Sequence, residues 1–373
     1  MNFSRYLVSL LILIVLLGNS CKQKSPDLIK YVDPLIGTAL ATTESVKLKP
    51  GDRVNNGQTI PAVTAPFGMT QWTPQTQPTE KKCVAPFYFG TTYIQGFRAT
   101  HWLSGSCTQD YGSFTVYPMN FDNRFRLMPN QRNTDYLMNN DTLSPAYLTT
   151  MFTETGILSE VTATKRSGFF CFSWIDAVDP TIIFDINSDE GEGYIKIDTI
   201  NQEVVGYNPV HRIYAGSGKP AGISGYFVAK FSQKIIKTGI YRGTDFMVGA
   251  IEQDKGENIG GYVTFTTKSD AVILMKIGTS FTSIENARKN LETEIPDWNF
   301  NKTKAELENT WNEFLGKIEL VNAPEDDKIK FYTALYHSLI HPRLYSDVNG
   351  EYPRFAGNGE IEKAEGFDYY DDF

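Results

Sequence analysis

Between Lys30 and about Lys276 the apolar residues fall in short alternating or β-branched runs, cut apart by Gly, Asn, Asp and Pro. Gly112–Pro118, Gly156–Thr164, Thr181–Ile186, Gly225–Phe231, Gly261–Thr266 and Ala271–Ile277 are such runs. No amphipathic helical stretch separates them, so the pattern predicts an antiparallel β-sandwich. After Gly278 the period changes. Ser283–Glu294 has helical apolar spacing without strand alternation. A second helix, capped by Asn301 or Thr303, is predicted to run to about Leu315, with Leu307, Trp311 and Leu315 on one face. A third is predicted from Asp326 to about Ile340, with Ile329, Thr333, Tyr336 and Ile340 on one face, and Pro342 stops it. A few helices cannot bury their apolar faces by themselves, so the helical part is expected to continue beyond Phe373.

The chain start has a different pattern. Arg5 is followed by an apolar run from Tyr6 to Gly18, too short to span a bilayer, and then by Asn19, Ser20 and Cys21. Small residues directly before a cysteine are what a lipoprotein signal peptidase cuts, after which Cys21 becomes the lipidated first residue. The alternative is an ordinary secretory signal with a coincidental cysteine. No later run is as apolar, so the mature part is expected to be held at a membrane surface by acyl chains alone. The expected setting is a bacterial cell envelope. The tether after Cys21 (Lys22, Gln23, Lys24, Ser25, Pro26) has no acidic residue, which points to the periplasmic side rather than surface display.

Composition narrows the ligand class. A net charge of −8 and the lack of a clustered basic face argue against a nucleic-acid partner. Aromatic residues make up 13% of the chain, with 20 Tyr and 24 Phe, and aromatic faces stack on the C–H faces of sugar rings. Sheet cores are rich in the same residues, so composition alone leaves both explanations open. Cys83, Cys107 and Cys171 form no CxxC pair and have no His at ligand spacing, which argues against zinc. Cys83 and Cys107 flank one aromatic-rich segment and are candidates for pairing in an oxidising compartment.

Three stretches carry a family resemblance. The first is Tyr31–Thr38 followed by Pro61–Gln71. The second is Gly96–Cys107 with Asp110-Tyr111-Gly112. The third is Phe331–Arg343, preceded by Ser283–Ala287. Together, and in this order, they resemble glycoside hydrolase family 92, bacterial exo-acting α-mannosidases. Ala39–Asn56 departs from the pattern, being longer and more charged. The resemblance implies an N-terminal β-sandwich packed on an (α/α)6 barrel, with the active site at their junction. With the patterns above, the chain divides into a signal peptide (1–20), a tether (21–29), a sandwich (30–278), a helical connector (279–322) and, as the resemblance implies, the start of the barrel (323–373). The resemblance further implies mannose-containing glycans as partners, with an α-1,2 linkage expected, and inverting hydrolysis by a general acid and a carboxylate-activated water. A calcium ion would bind two mannose hydroxyls. The family's acid, base and most calcium ligands would fall past Phe373, so this stretch by itself should not turn over substrate.

Within these residues the candidate substrate contacts are Trp102, His101, Asp110 and Cys107. Trp102 is suited either to stacking on the leaving-side sugar or to sealing the domain junction. Asp110 and Tyr111 can hydrogen-bond sugar hydroxyls, and Cys107 can line the pocket. Gly68 permits a close backbone approach, to a neighbouring strand rather than a ligand. His337 and His341 share a helix face but are read as packing or capping residues, and no metal site is assigned. Glu360, Glu362, Asp368, Asp371 and Asp372 are read as an acidic surface loop. The competing functions are a glycan-binding, lectin-like envelope lipoprotein and a structural envelope protein without ligand.

Overall fold

The computed structural model describes residues 26–42, 56–78, 80–105, 108–121, 132, 134–138, 142–188, 190–211, 218–256, 258–266, 271–354 and 359–371. The expected lipidation point Cys21, the candidate Cys107 and most of the Ala39–Asn56 stretch lie outside them. Among the described residues no helix is long and apolar enough to cross a membrane.

The short apolar runs form two antiparallel sheets. The seven-stranded sheet runs in the order Gln71–Gln75, Gly96–Thr100, Phe114–Asn120, Pro180–Ile186, Ile259–Phe265, Ile235–Arg242 and Asp245–Val248. The ten-stranded sheet runs Glu252–Asp254, Tyr194–Asp198, Glu203–His211, Pro220–Phe231, Val272–Ser280, Ser167–Trp174, Ile157–Ala163, Leu148–Phe152, Thr134–Met138 and Tyr93–Ile94. Alternation buries one face of strand Leu148–Phe152, through Leu148, Thr150 and Phe152, whereas Pro180–Ile186 and Ile259–Phe265 are buried on both faces. The inward rings interlock across the sandwich. Phe114 and Phe184 of the first sheet stack on Phe227 of the second at 4.2 and 6.0 Å, and Trp72 meets Phe170 at 5.1 Å. The sandwich expected from the pattern is therefore present. Cys83 is disulfide-bonded and Cys171 is free.

Three helices follow. Helix α1 (Ile284–Glu294) is capped by Ser283, whose Oγ accepts the Asn286 N–H at 3.1 Å. It lies so close to strand Val272–Ser280 that a Cβ at Gly278 would sit 2.2 Å from the Ala287 carbonyl. Helix α2 (Phe300–Leu315) begins earlier than predicted. Its cap is Asn299, which accepts the Lys302 N–H at 3.0 Å, while Thr303 is inside the helix and buried. Helix α3 (Glu325–Leu339) opens with three acidic residues, Glu325, Asp326 and Asp327, favourable at the positive end of the helix dipole. It stops before the cis His341–Pro342 bond.

Helices α2 and α3 grip the strip that leads into strand Gln71–Gln75. Trp311 donates its Nε1–H to the Thr64 carbonyl at 2.7 Å, and Tyr336 bridges the Ala62 N–H and carbonyl at 2.9 Å each. Phe67, at φ +56°, turns the strip beneath the end of α3: its N–H donates to the Leu339 carbonyl and its carbonyl accepts from Leu344 N–H. A Cβ at the next residue, Gly68, would lie 2.3 Å from Thr64 Oγ1 and 3.3 Å from the Lys165 carbonyl. The close approach at Gly68 is thus to neighbouring chain.

Candidate functional site

The loop joining strands Gly96–Thr100 and Phe114–Asn120 leaves the sandwich where α3 ends, and it brings His101, Trp102 and Asp110 together. Asp110 is its fixed point. Oδ1 accepts the backbone N–H groups of His101 and Tyr111 at 3.0 and 2.9 Å, and Oδ2 accepts from Thr100 Oγ1 at 2.7 Å. Oδ2 also faces the Arg98 guanidinium at 3.4 Å, with both side chains buried. A carboxylate with four donors aimed at it shapes the loop from inside. The His101 ring stacks on Tyr111 at 5.3 Å and meets Phe281 at 4.7 Å. Its Nδ1–H donates to the Tyr111 carbonyl at 2.7 Å, which makes Nε2, 3.2 Å from Thr70 Oγ1, the unprotonated nitrogen of a neutral ring.

Trp102 is fully buried. Its Nε1–H donates to the Gln58 carbonyl at 3.0 Å and its own N–H to Thr100 Oγ1 at 3.0 Å. The loop reaches solvent after it, through Leu103, Ser104 and Gly105. Gln58 Oε1 and Ser104 Oγ are buried there without a hydrogen-bond partner among the described residues.

The segment after α3 holds this loop from the other side. Arg343 is buried, donates from Nη2 to the Trp102 carbonyl at 3.3 Å and from Nη1 to Tyr111 Oη, and lies 5.4 Å from the centre of the Tyr111 ring. His341 Nε2 accepts the Ser104 N–H at 3.2 Å. Sandwich loop and helical segment are therefore clamped at three points, Trp102, Ser104 and Tyr111. His341 thus joins the clamp, while His337 Nε2 has no partner among the described residues, where no group of three or more His, Cys, Asp or Glu is placed to hold a metal. The acidic residues near the end belong to ion pairs, Glu360 and Glu362 with Arg354, and Asp368 with Lys165 and Arg166.

Burial and the Arg343 charge hold two of these rings neutral. His101 is lowered from 6.5 to about 4, first by burial and then by Arg343, and His341 is lowered to about 3 by the same two causes. Burial chiefly raises the Tyr111 phenol to about 12. Because both histidines have depressed folded values, the unfolded chain binds more protons below pH 6.5. Stability is complete above that value and falls as the pH drops toward the folded ones. At about 1.4 kcal/mol per unit per ring, and discounting His341 for its partial exposure, going from about pH 6.5 to about pH 5 is expected to cost roughly 2–3 kcal/mol. Urea midpoints measure this, and His341→Gln, which keeps an acceptor for Ser104, should flatten the pH slope. Identical slopes in the two proteins would contradict it.

Arg98, Gln58 and Arg343 are not among the residues predicted for the site. Arg98 carries a readable signal, a charge on the same strand face as Thr100 with an opposite charge twelve residues on. Nothing in the sequence near Arg343 points to a clamp on a loop more than two hundred residues away.

The sequence model of the glycosyl hydrolase family 92 N-terminal domain matches residues 31–280, and that of the family's catalytic domain matches residues 286–373. An uncharacterized secreted glycosidase of Arthroderma benhamiae is 26% identical, the match covering 91% of this chain and 45% of that protein. Two Bacteroides thetaiotaomicron structures superpose well. A family 92 inverting mannosidase has TM-score 0.78 and 23% identity over 94% of this chain and 44% of its own. A family 92 α-mannosidase has TM-score 0.75 and 26% identity over 92% of this chain and 45% of its own. The chain thus spans less than half the length of these relatives. With one family model covering the sandwich and a second beginning at α1, the chain belongs to glycosyl hydrolase family 92.

Proposed function

We propose that this chain is the N-terminal part of an exo-acting, inverting α-mannosidase that releases mannose from α-1,2-linked glycans, and that residues 1–373 alone do not turn over substrate. The observation that carries the reading is the Arg343 clamp, which gathers the sandwich loop and the first segment of the catalytic domain onto one surface. In this reading Gln58 Oε1 and Ser104 Oγ are positions for sugar hydroxyls, His101 and Asp110 set the loop, and Trp102, with Cys107 nearby in sequence, backs the leaving-side subsite. The mannosidase names of the structural relatives, one of them bound to mannoimidazole, favour mannose as the sugar. Inversion needs an acid and a base on opposite faces of the sugar, and both are placed in the remainder of the catalytic domain.

Calcium belongs to the same reading, since a hard cation suits paired sugar hydroxyls. The described residues do not themselves make its site, and no step here runs through it. Export and lipidation at Cys21, on the periplasmic side of a bacterial envelope, complete the proposal, and the secreted relative is consistent with export. The test is mannose release from α-1,2-mannobiose by the full-length protein. Release with calcium and its loss on chelation are expected. No release with calcium present, or release unchanged by chelator, would overturn the reading.

A further inference from the structure

The described end of the tether and the turn after it are held by the helices. The Leu28 and Ile29 N–H groups both donate to Asn312 Oδ1 at the end of α2, at 2.8 and 3.0 Å, and the Asp33 N–H donates to Thr333 Oγ1 of α3 at 2.9 Å. Tyr31 stacks on Tyr332 at 5.8 Å. The Tyr332 hydroxyl in turn bridges the Ile318 carbonyl and the Leu320 N–H, each at 3.2 Å, in the corner between α2 and α3. One buried tyrosine thus fixes both the incoming tether and that corner. At the corner's surface Ile318 is 50% and Val321 76% exposed. Leu28 lies seven residues after Cys21, a reach of at most about 25 Å.

From this we infer that the α2–α3 corner, with Ile318 and Val321 at its tip, is the surface that rests on the phospholipid bilayer, so that the candidate site opens away from it. The inference rests on the proposed lipidation of Cys21. Helix α3 sets the separation: its 15 residues span about 22 Å, with the corner at its N-terminal end and His341 and Arg343 beyond its C-terminal end. Exposed aliphatic side chains beside an acyl anchor orient the body that the acyl chains hold, because they bury further apolar area at the bilayer interface. Charge does not drive it, because Lys317 is offset by Glu319, Glu325 and Asp326 close by, all exposed.

The experiment uses the full-length protein purified with its lipid and seated on phosphatidylethanolamine–phosphatidylglycerol vesicles that carry nitroxide-labelled lipid. Mass spectrometry first reads whether Cys21 is acylated. A fluorophore is then placed through Val321→Cys or Ser338→Cys, two exposed positions at opposite ends of α3, and labelling of native cysteines is subtracted using the unsubstituted protein. Quenching several-fold stronger at 321 than at 338 is the expected result. Equal or reversed quenching in acylated protein overturns the orientation and leaves the anchor standing, whereas an unmodified Cys21 removes the anchor and the orientation with it.

Discussion

Asp110→Ala is expected to destabilise the protein by about 4 kcal/mol, because four donors that converge on one buried carboxylate lose that acceptor together. Arg98 is fully buried and would lose its carboxylate, while the His101 and Tyr111 N–H groups and the Thr100 hydroxyl would each lose an acceptor. Asp110→Asn keeps the shape and one oxygen, so a loss of about 1–2 kcal/mol is expected, near that of a single charged hydrogen bond. Urea denaturation of the two variants measures both values. The result separates two roles for this side chain. A carboxylate reserved for sugar hydroxyls would leave the folding midpoint unchanged in Asp110→Ala and weaken ligand binding instead. Here both oxygens are already occupied by protein donors, so the midpoint should move first.

The sandwich could be read from the chain because two-residue alternation is a local signal: each run carries its own evidence of a buried face. The helices were legible from equally local spacing, and the one misplaced cap lies just before the candidates Asn301 and Thr303, at Asn299. Asn299 and Asn301 are both good caps by type, and what decides is which one has its side chain beside a free N–H, here that of Lys302. The site was legible only in part. His101, Trp102 and Asp110 stand close together in sequence and in space, so one segment announces them. Arg343 and Gln58 reach the same place from distant parts of the chain, and no periodicity or spacing encodes such a meeting. The role of Asp110 also differs in kind from what its type suggested. A carboxylate in a turn-rich loop invites a ligand, and the four donors that claim it are two backbone N–H groups, a hydroxyl and a guanidinium that only the fold brings near.

Trp102→Ala is expected to cost about 3–5 kcal/mol, the range for emptying a large buried aromatic site. The indole is fully buried, and beyond the cavity the Gln58 carbonyl loses one of its two donors and keeps the Gly105 N–H. Trp102→Phe, which keeps most of the volume, should cost about 1–2 kcal/mol, for one lost hydrogen bond and a smaller ring, since the Gln58 carbonyl still accepts the Gly105 N–H. The two readings of this residue part at the full-length enzyme. If Trp102 seals the junction, both variants lose melting temperature in the order Ala, then Phe, and the mannose release that remains in Trp102→Phe has a nearly unchanged KM when assayed well below the transition. If its ring face meets the leaving sugar, Trp102→Phe keeps a stacking surface and Trp102→Ala keeps its stability, with KM for mannobiose rising in the alanine variant. Burial and the Gln58 bond place the weight on sealing. The loop then meets substrate through its exposed tip, and Trp102 acts by holding Ser104 beside His341 and its own carbonyl on Arg343. On that geometry the tryptophan is a positioning residue: its loss should scatter Gln58 and Ser104, the positions proposed for sugar hydroxyls, without any of its own atoms touching the sugar.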